Sequence, residues 1–197
     1  VVVMSVNAKS GKTNWQRRTQ VAPLTLTADA ERVYLHDGEK VVCLNRTTGD
    51  LEWSSEPAAR RRTITYNFGP RLVIHKGVLV YAGGERTMKA FDVKTGEVLW
   101  DAPHDRSGYQ SPEDLLIVKD LVWSAPTTSG GDSGAFTARD YKTGEVKISF
   151  PPDVSAYWFH HRCYIAKATE KFIMPSRTGI EFVDTDKKSW DINHWVR

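Results

Sequence analysis

A five-residue phrase returns along this chain at near-regular intervals, and a repeat of that period constrains the fold more than any other feature. The phrase is Asn or Asp, two variable residues, Ser or Thr, then Gly. It reads Asn7-Ala8-Lys9-Ser10-Gly11, Asn45-Arg46-Thr47-Thr48-Gly49, Asp92-Val93-Lys94-Thr95-Gly96 and Asp140-Tyr141-Lys142-Thr143-Gly144. The glycines step by 38 (11 to 49), 47 (49 to 96) and 48 (96 to 144). A decayed copy, Asp184-Thr185-Asp186-Lys187-Lys188, follows 44 residues on (144 to 188), with lysine in the glycine position.

Each position has a mechanical reason. The Asn or Asp side chain folds back onto nearby backbone N–H groups, and the glycine supplies the positive φ that closes a tight hairpin. Four residues beyond each glycine stands a large apolar side chain: Trp15, Trp53, Trp100 and then Ile148. Gly11, Gly49, Gly96 and Gly144 are thus read as turn residues. Trp15, Trp53 and Trp100 are read as the groups that pack one sheet against the next.

The upstream half of each unit keeps register. Pro23 and Pro70 both lie 26 residues before their glycines (23 to 49, 70 to 96), and Pro112 lies 32 before its own (112 to 144). The turn-forming stretch Thr127-Thr128-Ser129-Gly130-Gly131-Asp132-Ser133-Gly134 accounts for the difference. Short runs rich in β-branched and aromatic residues lie between. In the second unit they are Leu24–Thr27, Val33–Leu35, Lys40–Leu44 and Leu51–Ser54. In the third they are Leu72–His75, Val78–Tyr81, Thr87–Phe91 and Glu97–Trp100. No stretch sustains a helical period. Four antiparallel strands per unit of about 45 residues is the arithmetic of a β-propeller blade.

The expected fold is therefore all-β, a propeller of about four four-stranded blades plus the last two strands of another. The units run 1–16 (partial), 17–54, 55–102, 103–150 and 151–197. Such an arc is an incomplete ring, expected to be a fragment of a larger chain or to close with a homo-oligomer partner.

The segment Met88-Lys89-Ala90-Phe91-Asp92-Val93-Lys94-Thr95-Gly96-Glu97-Val98-Leu99-Trp100 resembles the repeat of pyrroloquinoline-quinone-like (PQQ-like) propellers. That family includes quinoprotein alcohol dehydrogenases, an outer-membrane assembly lipoprotein and large uncharacterised bacterial envelope proteins. The resemblance extends over nearly the whole chain, and the last segment is most similar to the uncharacterised envelope members. It implies a periplasmic, cell-envelope or secreted setting and a binding or scaffold surface for protein, peptide or carbohydrate. Its alternative is part of a quinone-dependent dehydrogenase whose site is completed outside this chain. Two other repeats fit less well. The double glycine of a kelch repeat occurs once, at Tyr81-Ala82-Gly83-Gly84, and the Trp-Asp blade ending of WD repeats occurs once, at Trp100-Asp101.

The family's dehydrogenases hold PQQ on the propeller axis with a tryptophan platform, an adjacent-cysteine disulfide and calcium. No Cys-Cys pair occurs here, and Trp123 and Trp158 lie outside the turn-coupled register, where blade core is the simpler reading. No cofactor is therefore expected, and PQQ with calcium enters only under the alternative. No catalytic residue can be assigned.

His161 and Cys163 share a strand face, and with His194 they form the one metal-capable candidate, against which ordinary strand packing is the simpler account. Gly131-Asp132-Ser133-Gly134 copies a serine-protease nucleophile motif without the histidine partner such a serine needs, and reads as a loop. Asn45-Arg46-Thr47 matches a glycosylation acceptor, but Asn45 already has a turn role.

Charge excludes further classes. A net charge of +3 without a basic stripe gives no footing for nucleic acid. Arg17-Arg18 and Arg60-Arg61-Arg62 fall between the units and read as solvated loop charge. No apolar run approaches the roughly 18 residues of a membrane span, and Val1–Val6 reads as a strand rather than a signal-peptide core. Cys43 and Cys163, far apart, give neither a disulfide framework nor a zinc pattern.

Overall fold

The computed structural model describes residues 1–61, 69–104, 114–124, 135–151, 166–175 and 180–193. These hold four four-stranded antiparallel sheets and one two-stranded sheet. The two-stranded sheet pairs β1 (Val2–Val6) with β2 (Thr13–Arg18). The next comprises β3 (Thr27–Ala28), β4 (Arg32–His36), β5 (Lys40–Asn45) and β6 (Leu51–Pro57). The third comprises β7 (Arg71–His75), β8 (Val78–Ala82), β9 (Thr87–Asp92) and β10 (Val98–Pro103). The fourth comprises β11 (Leu116–Val118), β12 (Leu121–Ser124), β13 (Phe136–Asp140) and β14 (Val146–Phe150). The last comprises β15 (Lys167–Ala168), β16 (Phe172–Met174), β17 (Ile180–Asp184) and β18 (Ser189–Asn193). The first strands of successive sheets are neighbours, β3 with β7, β7 with β11 and β11 with β15. This is a propeller arc with the first strand of each blade innermost.

The core is divided among the joints between sheets. Val3, Trp15 and Val21 pack on Val33, Leu35, Val42 and Leu44. Tyr34, Val41, Cys43 and Trp53 pack on Leu72, Leu79, Tyr81 and Phe91. Val80, Ala90 and Trp100 pack on Leu115, Val122 and Tyr141, and Trp123, Phe136 and Phe150 pack on Ile173 and Val183. A central strand is therefore covered on both faces, and every residue of β8 is buried. Outermost strands such as β6 and β10 keep polar, exposed positions, as edges must.

Each turn phrase folds alike. In the third sheet, Asp92 Oδ1 accepts from the N–H groups of Lys94 (2.7 Å) and Thr95 (3.0 Å), and Gly96 N–H donates to the Asp92 carbonyl at 2.9 Å. The backbone donors hold the Asp140 and Asp184 carboxyls of the later copies below the usual carboxylate range. Each of the four copies that ends in glycine has an irregularity in strand pairing beside it, a bulge that shifts the register by one residue. The decayed copy has none, since β17 and β18 pair without interruption while Lys188 takes the left-handed φ of 53°.

The structure corrects two local readings. Leu24 is not in a strand: its φ is 61°, and β3 begins only at Thr27, after a turn in which Thr25 Oγ1 donates to the Ala22 carbonyl at 2.7 Å. Arg17 and Arg18 belong to β2 rather than to a loop, and the Arg17 guanidinium donates to the Gly49 carbonyl of the next sheet at 3.3 Å. Trp123 is blade core, as its place outside the turn-coupled register suggested, packed inside a joint at 1% exposure.

Candidate functional site

Strand order gives the two ends of the arc different characters. One end carries the turns inside each blade, between first and second strands and between third and fourth. All the turn phrases lie there, and joints between blades occupy them. Trp15 Nε1 donates to the Arg46 carbonyl (2.8 Å), Trp53 Nε1 to Val93 (3.0 Å) and Trp100 Nε1 to Tyr141 (3.0 Å). Each acceptor follows the Asn or Asp of the next blade's phrase. At this end Lys76 and His75 reach Asp120 (2.7 and 2.6 Å), and Lys119 reaches Asp186 (2.8 Å), again across joints.

The other end receives the links between blades and the turns between second and third strands. The described link residues at this end include 19–26, 58–61, 69–70 and 114–115. Variable links gathered on one face of a repeat array are its usual binding surface.

A groove opens on this face, about 720 Å³ in volume and lined by Gln20, Gly38, Glu39, Pro57, Ala58, Ala59 and Arg60. A smaller recess of about 330 Å³ beside it is lined by Thr19, Gln20, Asp37 and Glu39. The tight Asp37-Gly38-Glu39 turn shapes the rim: Asp37 Oδ1 accepts from Glu39 N–H (2.9 Å) and Lys40 N–H (3.0 Å). Arg60 Nε donates to the Gly38 carbonyl at 3.2 Å, placing a guanidinium across from Glu39 and Asp37.

His36 is the buried knot beneath the groove. Its Nε2 lies 2.8 Å from the Ala58 carbonyl and its Nδ1 accepts from Gly38 N–H at 3.1 Å, which fixes the neutral tautomer with the proton on Nε2. The ring stacks on Tyr81 of the next blade, with centroids 4.6 Å apart and planes 3° from parallel. Burial holds the imidazole below its ordinary pKa. Its backbone joins the same knot, since Ala22 N–H donates to the His36 carbonyl (2.8 Å) and His36 N–H to Thr25 Oγ1 (3.1 Å). Gly83 closes the floor: a Cβ there would collide with the Ala59 carbonyl, and Arg61 N–H donates to the Gly83 carbonyl at 2.8 Å. The arrangement offers a shaped, mixed-charge recess, suited to binding.

The metal candidates His161, Cys163 and His194 lie outside the described residues, as do Gly131-Asp132-Ser133-Gly134 and Trp158. Among the described residues, no three His, Cys, Asp or Glu side chains converge on a metal position. Cys43 is a free thiol in the joint beside Tyr34 and Phe91, pushed up to about 12 by burial. Asn45 holds its turn, accepting from Thr47 and Thr48 N–H groups at 2.9 and 3.1 Å. Trp15, Trp53 and Trp100 each cover the phrase glycine of the following blade, Gly49, Gly96 and Gly144. Sequence reasoning missed the groove. Its nearest signal was a histidine ending a strand immediately before Asp37-Gly38, which marks a buried imidazole at a tight turn.

The family model for the outer membrane protein assembly factor BamB matches residues 1–160. The chain belongs to this family of PQQ-like propellers. Among curated relatives, it is 30% identical over 112 residues to the quinoprotein alcohol dehydrogenase PedH of Pseudomonas putida. It is 30% identical over 144 residues to lupanine 17-hydroxylase (cytochrome c) of a Pseudomonas species. These alignments take in 53% and 68% of this chain but only 18% and 20% of the relatives. Among solved structures, BamB from Moraxella catarrhalis matches with a TM-score of 0.70 at 14% identity, covering 97% of this chain and 54% of that one. A europium-containing methanol dehydrogenase matches with a TM-score of 0.61 at 14% identity, over 96% of this chain and 46% of that one. At such identities the structural likeness establishes the shared fold. The same propeller thus serves an assembly factor and dehydrogenases, and this chain resembles both.

Proposed function

We propose that this chain is part of a non-enzymatic propeller module of the bacterial envelope, a scaffold whose link face binds a protein or peptide partner. The groove between Gln20, Glu39 and Arg60 carries the reading. It lies at the end where chain segments pass from blade to blade, it carries both signs of charge, and its floor is tied together by the hydrogen bonds of His36. Rigid floors under polar rims suit extended segments, which bind by backbone hydrogen bonds and are oriented by charge.

The test is site-specific photo-crosslinking in the envelope of the producing cell. A photoreactive residue at Glu39 or Arg60 is expected to give a discrete crosslinked protein, and one at Lys94 or Lys142, on the turn-phrase face, none. Crosslinks from the turn-phrase positions, or from neither set, would contradict the proposal.

A second reading has support from the two dehydrogenase relatives at 30% identity: a segment of a quinoprotein whose site is completed elsewhere. The described residues do not fit the cofactor. Cys43 is buried in a joint with no neighbouring cysteine, and Trp123 is packed between sheets instead of offering a platform on the axis. Dye-linked alcohol oxidation by the full-length protein supplied with PQQ and calcium would support this reading over the first.

A further inference from the structure

The groove has a donor-rich corner. Arg60 is half-buried and held by one bond, its Nε–H donating to the Gly38 carbonyl at 3.2 Å. That bond leaves the Nη groups of its planar fork available. Among the described residues no carboxylate pairs with Arg60, although Glu39 lines the same groove and Asp37 the recess beside it.

Gly38 determines what stands beside the guanidinium. A Cβ on this glycine would lie 3.2 Å from Oε1 of Gln20 and 4.0 Å from both Nε and Nη2 of Arg60. The φ of 110° at Gly38 keeps this position for glycine. Its missing side chain therefore leaves a small opening bordered by a guanidinium and a primary amide. The Gln20 side chain makes no hydrogen bond among the described residues, so its amide is also available.

Both groups donate N–H bonds from a planar frame, and a carboxylate is the planar acceptor that matches such a fork. The acids of the groove do not occupy it. Asp37 Oδ1 is turned to the Glu39 and Lys40 N–H groups of its own turn, at 2.9 and 3.0 Å, and Glu39 is exposed on the rim. Their charges instead repel further anions, so the corner suits a lone carboxylate and disfavours an acidic run.

Resting on the reading of this groove as the partner site, we infer that Arg60 and Gln20 set its specificity by taking a lone carboxylate carried by an extended peptide segment. The Nη groups of Arg60 and the amide N–H of Gln20 donate to the two carboxylate oxygens, and the opening at Gly38 admits them.

The test is an NMR titration of the isotope-labelled full chain, followed at the Arg60 Nε–H, the Gln20 side-chain amide and the Gly38 N–H. The probes are short acetylated and amidated peptides of alternating threonine and valine with a central glutamate, glutamine or lysine. A further probe has the glutamine sequence with a free C-terminal carboxylate. A carboxylate peptide is expected to move all these signals and to bind about tenfold more tightly than the amidated glutamine peptide, the value of a hydrogen-bonded charge. Preference for the glutamate peptide would identify a side chain as the source, and preference for the free-carboxylate peptide a chain end; either supports the assignment. Arg60→Lys, which keeps the charge but not the fork, and Gln20→Ala should each reduce the preference while leaving the rest of the amide spectrum unchanged. Equal binding of all the peptides at these signals would overturn the carboxylate assignment and leave the groove a peptide site. Absence of any shift there would overturn it too, and photo-crosslinking at Glu39 would then decide separately whether this face holds a partner.

Discussion

Trp53 covers Gly96 in the next blade so closely that a Cβ on that glycine would stand 2.5 Å from the ring, while the indole N–H donates to Val93 at 3.0 Å. The glycine thus has two reasons to be there: its φ of 75° closes the hairpin, and its missing side chain admits a neighbour's tryptophan. The offset of four between glycine and tryptophan in one blade is therefore a device for gripping the blade after it.

The hydrogen-bonding part of this grip is separable from the packing part. Trp100→Phe keeps most of the apolar contact but leaves the Tyr141 carbonyl without its indole donor. It is expected to cost about 1–3 kcal/mol in urea unfolding, the range for a buried acceptor that loses its partner. A variant as stable as the parent would show that packing alone holds the joint.

The joint between the fourth and fifth sheets has lost both halves of the plan at once. Ile148 stands in the tryptophan position, and Lys188, in the glycine position, has a φ of 53°. Lys188→Gly relieves backbone strain, and Ile148→Trp alone meets the lysine Cβ. Combined, they are expected to be more stabilising than their sum by about 0.5–3 kcal/mol, the coupling of residues in direct contact. Strict additivity in thermal unfolding would argue that this joint has another geometry.

His36 gives the groove a pH dependence of definite sign. Its folded pKa is held below 6.5 by burial, whereas the unfolded chain titrates near 6.5. The stability linked to it is complete above about pH 6.5 and falls as pH drops toward the folded pKa, because the unfolded state then binds a proton the folded state refuses. Urea unfolding between pH 8 and pH 5 should show this loss, and His36→Asn should flatten it. The Asp140 and Asp184 turns respond in a lower window, losing their contribution only as pH falls below about 4.

Cys43 is sealed in a joint, with its thiol pushed up to about 12 by burial. In a Cys163→Ser background it should resist a thiol-disulfide reagent at pH 8 in the folded protein and react fully in denaturant, since only the thiolate attacks. Rapid labelling of the native chain would mean that the joint opens readily.

The repeat made the architecture readable because a phrase needing positive φ and a coupled tryptophan leaves few alternatives to a blade. Local edges were less readable. Leu24 has strand chemistry, but Thr25 bonds back to Ala22 and turns the chain, and Arg17 lies in a strand paired with Val3, from which its guanidinium reaches the neighbouring blade. The second role of Gly49, Gly96 and Gly144 could not be read from one blade, since the group that needs the space comes from the blade before. The groove was hidden for a similar reason: Gln20, Glu39 and Arg60 lie far apart in sequence, and topology brings their segments to one end.

The account rests on the tryptophan–glycine joint, and a double-mutant cycle at Trp53 and Gly96 tests it most directly. Gly96→Ala alone should cost about 1–2 kcal/mol for the left-handed backbone and a further 1–3 kcal/mol for displacing the ring. In a Trp53→Ala background only the backbone part should remain. The same cost for Gly96→Ala in both backgrounds, measured by denaturant unfolding, would contradict the account.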